Sequence, residues 1–229
     1  MTVVISGASR GIGRELINFF LEKKGLKVIA LSSHPEKFRA LEKKKNFHSI
    51  KADFTIEDSI YEITEIIGTK TNEVGILINN AGLLVNKPFF KITSKELELV
   101  YRVNVFAPFM LSQQLLRFMG KKERGHIVNI GSMGGFQGSA KFAGLSAYSS
   151  SKGALSILSE CLAEELKDKN IASNCLCLGA VNTEMLQAAF PGYKAPTSAK
   201  QMAAFIGNFA LTGHANFNGK VLPVSLSTP

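Results

Sequence analysis

The chain alternates short apolar runs with longer stretches whose apolar residues recur at three- and four-residue intervals. Thr2-Val3-Val4-Ile5 is rich in β-branched residues and predicts a buried strand. Behind it, Ile12, Leu16, Phe19 and Phe20 have helical spacing. The alternation continues with strand 26–31, helix 35–45, strand 47–51, helix 56–68 and strand 74–78. Helix 56–68 carries Ile60, Ile63, Ile66 and Ile67 as one buried face. In the second half the pattern predicts a helical stretch over 94–119, strand 127–130, helix 147–169, strand 171–178, helix 199–211 and strand 220–224. Strands and helices in strict alternation predict an α/β fold, a doubly wound parallel sheet of about seven strands covered by helices on both faces.

Three places break the pattern. Asn104 and Pro108 lie inside the stretch 94–119. Proline removes a helical hydrogen bond and asparagine competes for backbone groups, so a local break is expected there. Residues 133–146 are rich in Gly, Ser and Ala and read as a loop at a strand's carboxyl end, where open α/β sheets bind ligands. Residues 184–197 hold Phe190-Pro191-Gly192 and Pro196 and predict a mobile cover rather than a packed element.

Composition narrows the class. The chain has 229 residues, enough for one well-buried domain over 1–229, with loops near 133–146 and 184–197. No apolar run is long enough to cross a membrane, and no signal peptide is expected ahead of a strand that starts at residue 2. Neither a membrane nor a nucleic acid is therefore an expected partner. The net charge is +9 and concentrates early: residues 1–51 hold eleven Lys/Arg and four acids. An anionic ligand near this end would be attracted, but the lysines lack interleaved aromatics and read as a solvated face. Cys161, Cys175 and Cys177 have neither metal nor disulfide spacing. They are expected to be buried free thiols in a reducing cytoplasm, with no metal bound.

The candidate chemistry starts at Ser6-Gly7-Ala8-Ser9-Arg10-Gly11-Ile12-Gly13, between the first strand and the first helix. Glycines admit positive φ and close approach of a ligand, and a helix N-terminus offers free N–H groups to an anion. The spacing G-x-x-x-G-x-G differs from the usual dinucleotide fingerprint, and the motif alone also fits a simple tight turn. The second strand ends at Ser32-Ser33, where a doubly wound sheet that binds NAD would place an acid on the adenosine 2′-hydroxyl. No acid stands there. Ser32, Ser33 and Arg10 suit a 2′-phosphate instead, which points to NADP(H) over NAD(H). Asn79-Asn80-Ala81-Gly82 closes the fourth strand with small residues that admit another close backbone approach. Tyr148 and Lys152 are four apart on a predicted helix and face the same space.

In this order, Ser6–Gly13, Asn79–Gly82, Asn104, Ser132 and Tyr148-x-x-x-Lys152 resemble the short-chain dehydrogenase/reductase family over about residues 2–224. The resemblance implies a Rossmann-type fold and a homodimer or homotetramer. It implies that Gly7, Gly11 and Gly13 shape a cofactor turn lined by Ser9, Arg10 and Ile12. Asp53 and Phe54 would face the adenine, and Asn80, Ala81 and Gly82 the ribose and adjoining backbone. Val181 and Thr183 would hold the nicotinamide carboxamide, and Gly179 before them would also bind the cofactor. Asn104, Ser132, Tyr148 and Lys152 would be catalytic, with Tyr148 as general acid/base, Lys152 lowering its pKa, Ser132 orienting the carbonyl oxygen and Asn104 anchoring a proton-relay water. Departures from the family pattern are a longer Ser132-to-Tyr148 interval, Leu178-Gly179 in place of Pro-Gly, and no Asp-Gly-Gly after the last strand.

The expected activity is NADP(H)-dependent reduction of a small-molecule ketone or aldehyde in the cytoplasm, or its reverse. Two alternatives stand beside it. One is a 3-oxoacyl thioester reductase whose acidic carrier protein would meet Lys121, Lys122 and Arg124. The other is a regulatory protein that binds NADP(H) without turnover.

Overall fold

The computed structural model describes residues 1–56 and 59–226. Its centre is a seven-stranded sheet built from β1 (Thr2–Ser6), β2 (Lys27–Ser32), β3 (Phe47–Lys51), β4 (Ile76–Asn79), β5 (Gly125–Ser132), β6 (Ile171–Leu178) and β9 (Val221–Val224), every pair parallel. The spatial order is β3-β2-β1-β4-β5-β6-β9. After β3 the chain crosses β2 and β1 to place β4 on the far side, so the winding reverses between β1 and β4. In open α/β sheets that reversal leaves a crevice at the strands' carboxyl ends.

Alternation along each strand divides the core. Val3, Ile5, Val28, Ala30, Ile76 and Ile78 face one side, under α1 (Gly11–Leu21) and α7 (Ala199–Thr212). Val4, Ile29, Leu31, Leu77 and Ile127 face the other, under α2 (Ser59–Lys70) and α4 (Ala107–Leu115). Apolar residues on both faces of a strand are what a parallel sheet covered twice requires. The beginning of the predicted helix 56–68 falls on residues 57 and 58, which lie outside the described residues.

Three expectations change and one takes a definite form. The predicted helix 35–45 is a short 3-10 turn, Pro35–Phe38, followed by turns, because Glu42-Lys43-Lys44-Lys45-Asn46 has no apolar side chain to bury. The stretch 94–119 is α3 (Ser94–Tyr101), a π-helical turn at Arg102–Phe106, and α4. The break predicted from Asn104 and Pro108 is that π turn, with Pro108 in the opening turn of α4, where its missing N–H costs little. The cover over 184–197 is anchored: α6 (Glu184–Ala189) is followed by β8 (Thr197–Ser198), which pairs with β7 (Val181–Asn182). Cys161 is exposed on α5 (Ser146–Glu165), since it falls on that helix's outer face, whereas Cys175 and Cys177 are buried.

Polar groups inside this core are chained together. Asn79 Nδ2 donates to Asn129 Oδ1 (2.8 Å), and Asn129 Nδ2 to Ser159 Oγ (2.8 Å), linking β4, β5 and α5. Fully buried His126 sits between Ala210 O and the Asn174 amide, 3.0 Å from each. A carbonyl only accepts, so Nδ1 carries the proton and Nε2 accepts from Asn174. Burial pushes this imidazole down to about 4. Its folded pKa lies below the unfolded one, so stability is complete above about pH 6.5 and is lost as pH falls towards 4, on the order of 3 kcal/mol in all. Melting temperature followed from pH 7 to 4 should fall steeply over that window, and His126→Gln should flatten the fall.

Candidate active site

Ser6 ties β1 to β4 at the reversal. Its Oγ accepts from the N–H groups of Asn80 (3.1 Å) and Ala81 (3.0 Å). Asn80 Nδ2 answers by donating to Ser6 O and Gly7 O, both at 3.0 Å. The two backbones then run so close that a Cβ on Gly7 (φ +64°) would stand 2.6 Å from Ala81 Cα. A Cβ on Gly13 would meet Gly7 O at 2.3 Å. Gly7 is required by its left-handed backbone as well as by contact, and Gly13 by contact alone. The N-terminus of α1 has no side-chain cap and no acid in its first turn, so its N–H groups face the crevice unsatisfied by side chains.

That crevice is a cleft of about 770 Å³ along the carboxyl ends of β1, β2, β4, β5 and β6. Every site residue expected from the sequence lines it except Gly13 and Asn104. Gly13 packs beneath Gly7, and Asn104 stands behind the wall. Asn104 is fully buried on the π turn: its Oδ1 accepts from Leu83 N (2.8 Å), and its Nδ2 donates to Leu83 O (2.9 Å) and Ser151 Oγ (2.9 Å). It thereby clips the strand-end loop to α5. A Cβ at Gly82 would lie 3.5 Å from Lys152 Nζ and 3.7 Å from Asn104 Oδ1, so Gly82 keeps the space between them open.

Tyr148 and Lys152 stand one turn apart on α5, with Lys152 Nζ 5.9 Å from the Tyr148 ring centre. Lys152 is buried and donates to Ile130 O (2.8 Å); burial lowers its pKa to about 8. Tyr148 differs from expectation. Burial raises its pKa, and the facing Ser132 side chain offsets this only in part. The Cys177 thiol adds to the rise, and the phenol is held protonated. At the β2 end, Ser32 Oγ is occupied by His34 N (3.0 Å), which leaves Arg10 and Ser33 exposed toward the ligand space. Asp53 is held low by the hydroxyl and N–H of Thr55. The Gly179 turn is tied down by Gly179 N to Val224 O (2.9 Å), and Thr183 caps α6 at Leu186 N (3.3 Å).

Sequence reasoning missed Lys37 and His34, which join Arg10 and Ser33 at the β2 end. Pro35 opening a turn directly after the serines was the available signal. It also missed Ser6 as the stitch between strands. The basic group Lys121, Lys122 and Arg124 lies at the amino end of β5, opposite the cleft, with Arg124 Nη1 on His214 O (2.8 Å). It is therefore not a docking patch for this site.

Residues 1–194 match the short chain dehydrogenase family model. The chain belongs to that family. It is 34% identical over 80% of its length, and 75% of the relative's, to the 3-oxoacyl-(acyl-carrier-protein) reductase FabG of Buchnera aphidicola subsp. Schizaphis graminum. The FabG of Escherichia coli (strain K12) is 30% identical, with 89% of this chain and 83% of that one covered. Among solved structures it resembles a 4-hydroxyisoleucine dehydrogenase complexed with NADH (26% identity, TM-score 0.87, 98% and 96% covered). It also resembles Pseudomonas aeruginosa RhlG in its NADP complex (26% identity, TM-score 0.84, 98% and 94% covered). This short-chain dehydrogenase is thus an oxidoreductase interconverting CH–OH and C=O with a nicotinamide cofactor. The contact glycines and the open α1 N-terminus fit a dinucleotide diphosphate.

Asn104→Ala would orphan the Leu83 amide and carbonyl and the Ser151 hydroxyl inside the protein. Urea unfolding should show a loss of about 2–4 kcal/mol.

Proposed function

We propose that the protein is an NADP(H)-dependent carbonyl reductase, reducing a ketone or aldehyde with Tyr148 as general acid, or running the reverse with Tyr148 as base. One observation carries this reading. Tyr148, Ser132 and Lys152 converge at one end of a cleft whose β2 end presents Arg10, Ser33 and Lys37. The acids lining the cleft, Asp53 and Glu184, belong to the ends of other elements. A bound nicotinamide supplies or accepts the hydride. Tyr148, kept protonated by burial, gives its proton to the carbonyl oxygen, and Ser132 orients that oxygen. Lys152, anchored on Ile130 O, has N–H bonds left for a ribose hydroxyl and carries charge beside Tyr148. The space over Gly82 between Asn104 and Lys152 would carry the proton relay.

Loops 133–146 and 184–197 would select the substrate, and Phe142, Leu145, Met185 and Phe190 favour an apolar one. A 3-oxoacyl thioester is the second reading, supported by the FabG relatives. Self-association as a dimer or tetramer is supported by exposed Leu99, Phe106 and Phe109 along α3–α4 and Ile157 on α5.

NADPH oxidation across a carbonyl panel that includes a 3-oxoacyl thioester tests the mechanism. Tyr148→Phe should lower kcat about 10²-fold or more while NADPH still binds. Tight NADPH binding by the native protein without turnover anywhere would instead favour the regulatory reading. Ser33→Asp should raise the KM for NADPH at least about tenfold and spare NADH, because it sets an acid against the 2′-phosphate. Lys152 is an ammonium below about 8, so kcat/KM for reduction should decline as pH rises past that value.

A further inference from the structure

Leu84, Phe142, Leu145, Phe190 and Tyr193 line the cleft, and contacts knit the segments that carry them, 83–95, 133–145 and 185–197, into one rim. Lys87 N donates to Gly144 O (2.9 Å), joining the first to the second. Asn86 Nδ2 donates to Ala189 O (2.8 Å), joining the first to the third. The Phe142 and Phe190 rings meet edge-on with centres 6.4 Å apart, joining the second to the third.

The composition of this rim is one-sided. It holds Lys87, Lys91, Lys95, Lys141 and Lys194 and no Asp or Glu. Glu96 and Glu184 each stand one residue beyond it: Glu96 is taken by Lys87 (2.8 and 3.0 Å), which braces the rim against α3, and Glu184 lines the cleft within. Lys141 folds its ammonium back onto Phe136 O and Ser139 O but stays exposed. Between Lys87 and Lys91, Pro88 starts a convex 3-10 turn on which Phe89 and Phe90 are 80% and 82% exposed. Phe142 and Tyr193 are exposed nearby in sequence to Lys141 and Lys194.

Adjacent aromatic rings held out in water, flanked by Lys91 and Lys95 with no acid between residues 83 and 95, mark a surface that something anionic and apolar covers. A second copy fits poorly, since a two-fold contact would bring the lysines face to face. A convex turn also suits insertion into a soft apolar layer better than seating in a rigid groove. We propose that this rim docks peripherally on an anionic lipid surface. Phe89 and Phe90 enter the boundary between headgroups and acyl chains, while Lys91, Lys95, Lys141 and Lys194 meet lipid phosphates. No helix among the described residues is long and apolar enough to cross a membrane, so the contact is at the surface. It goes beyond the reading of the sequence, which named no membrane partner. The docking does not depend on the carbonyl-reductase reading, although it would turn the cleft toward an apolar phase.

The test is co-sedimentation of the full chain with vesicles of phosphatidylcholine, with and without phosphatidylglycerol. Binding to the anionic vesicles alone, weakened by salt, is expected. Lys91→Glu/Lys95→Glu should weaken it about tenfold or more, from the roughly fivefold that one lysine confers at such a surface. Phe89→Ser/Phe90→Ser should abolish it, with melting temperature and NADPH binding unchanged. No sedimentation at low salt, or equal binding to neutral vesicles, overturns the proposal. So does a change of oligomeric state in Phe89→Ser/Phe90→Ser, which assigns the rim to a second copy. Retention on soluble polyglutamate without vesicle binding assigns it to an acidic protein and equally overturns it.

Discussion

The approach of Gly7 to Ala81 is the constraint from which the site follows. The segments that leave β1 and β4 pass to opposite faces of the sheet, yet Ser6 and Asn80 bond across the reversal and hold the strand ends in backbone contact. A side chain at Gly7 or Gly13 would push those ends apart. The contact fixes where α1 begins, and hence where its unsatisfied N–H groups point. It also sets the start of the Asn80–Leu83 loop, which Asn104 then clips from behind. The π turn exists at a position that lets Asn104 do this while α3 and α4 continue on either side. Functional helices store such irregularities where a side chain must leave the regular face.

Burial governs the reactive pair more than charge does. The phenol and the ammonium both pay for leaving water, and each is driven toward its neutral form: Tyr148 upward and Lys152 downward. A protonated phenol beside a lysine that stays charged at neutral pH is a proton donor with a cation behind it. Beneath them, Cys175 and Cys177 fill the floor over Gly131, where no Cβ could be accommodated. The thiols are packing there, covered by strand neighbours on both sides.

The outer rim obeys different physics from the inner cleft. Inside, the Asn79, Asn129 and Ser159 side chains hand hydrogen bonds from β4 through β5 to α5, because an unmatched group in the core costs more than a bond gains. At the rim, Phe89 and Phe90 face water, and their meaning lies in what they meet outside the chain.

Much was determined by the sequence alone. Short apolar runs and faces of period 3.6 are local and strong; they set all seven strands within a residue or two and located α1, α2, α5 and α7. The glycine turn and the Tyr148-Lys152 pair are short-range patterns and were legible for the same reason. Helix 35–45 was misread because helix-forming residues without a buried face do not sustain a helix. What only the tertiary structure decided depends on distant partners. The rise of the Tyr148 pKa needs the walls of the cleft, and the Ser6–Asn80 stitch joins residues 74 apart. Lys121, Lys122 and Arg124 fell at the wrong end of β5, and segments near residues 87, 144 and 189 met at one mouth. Periodicity states which face of an element is buried. It does not state what is packed against it, and desolvation and close approach depend on that.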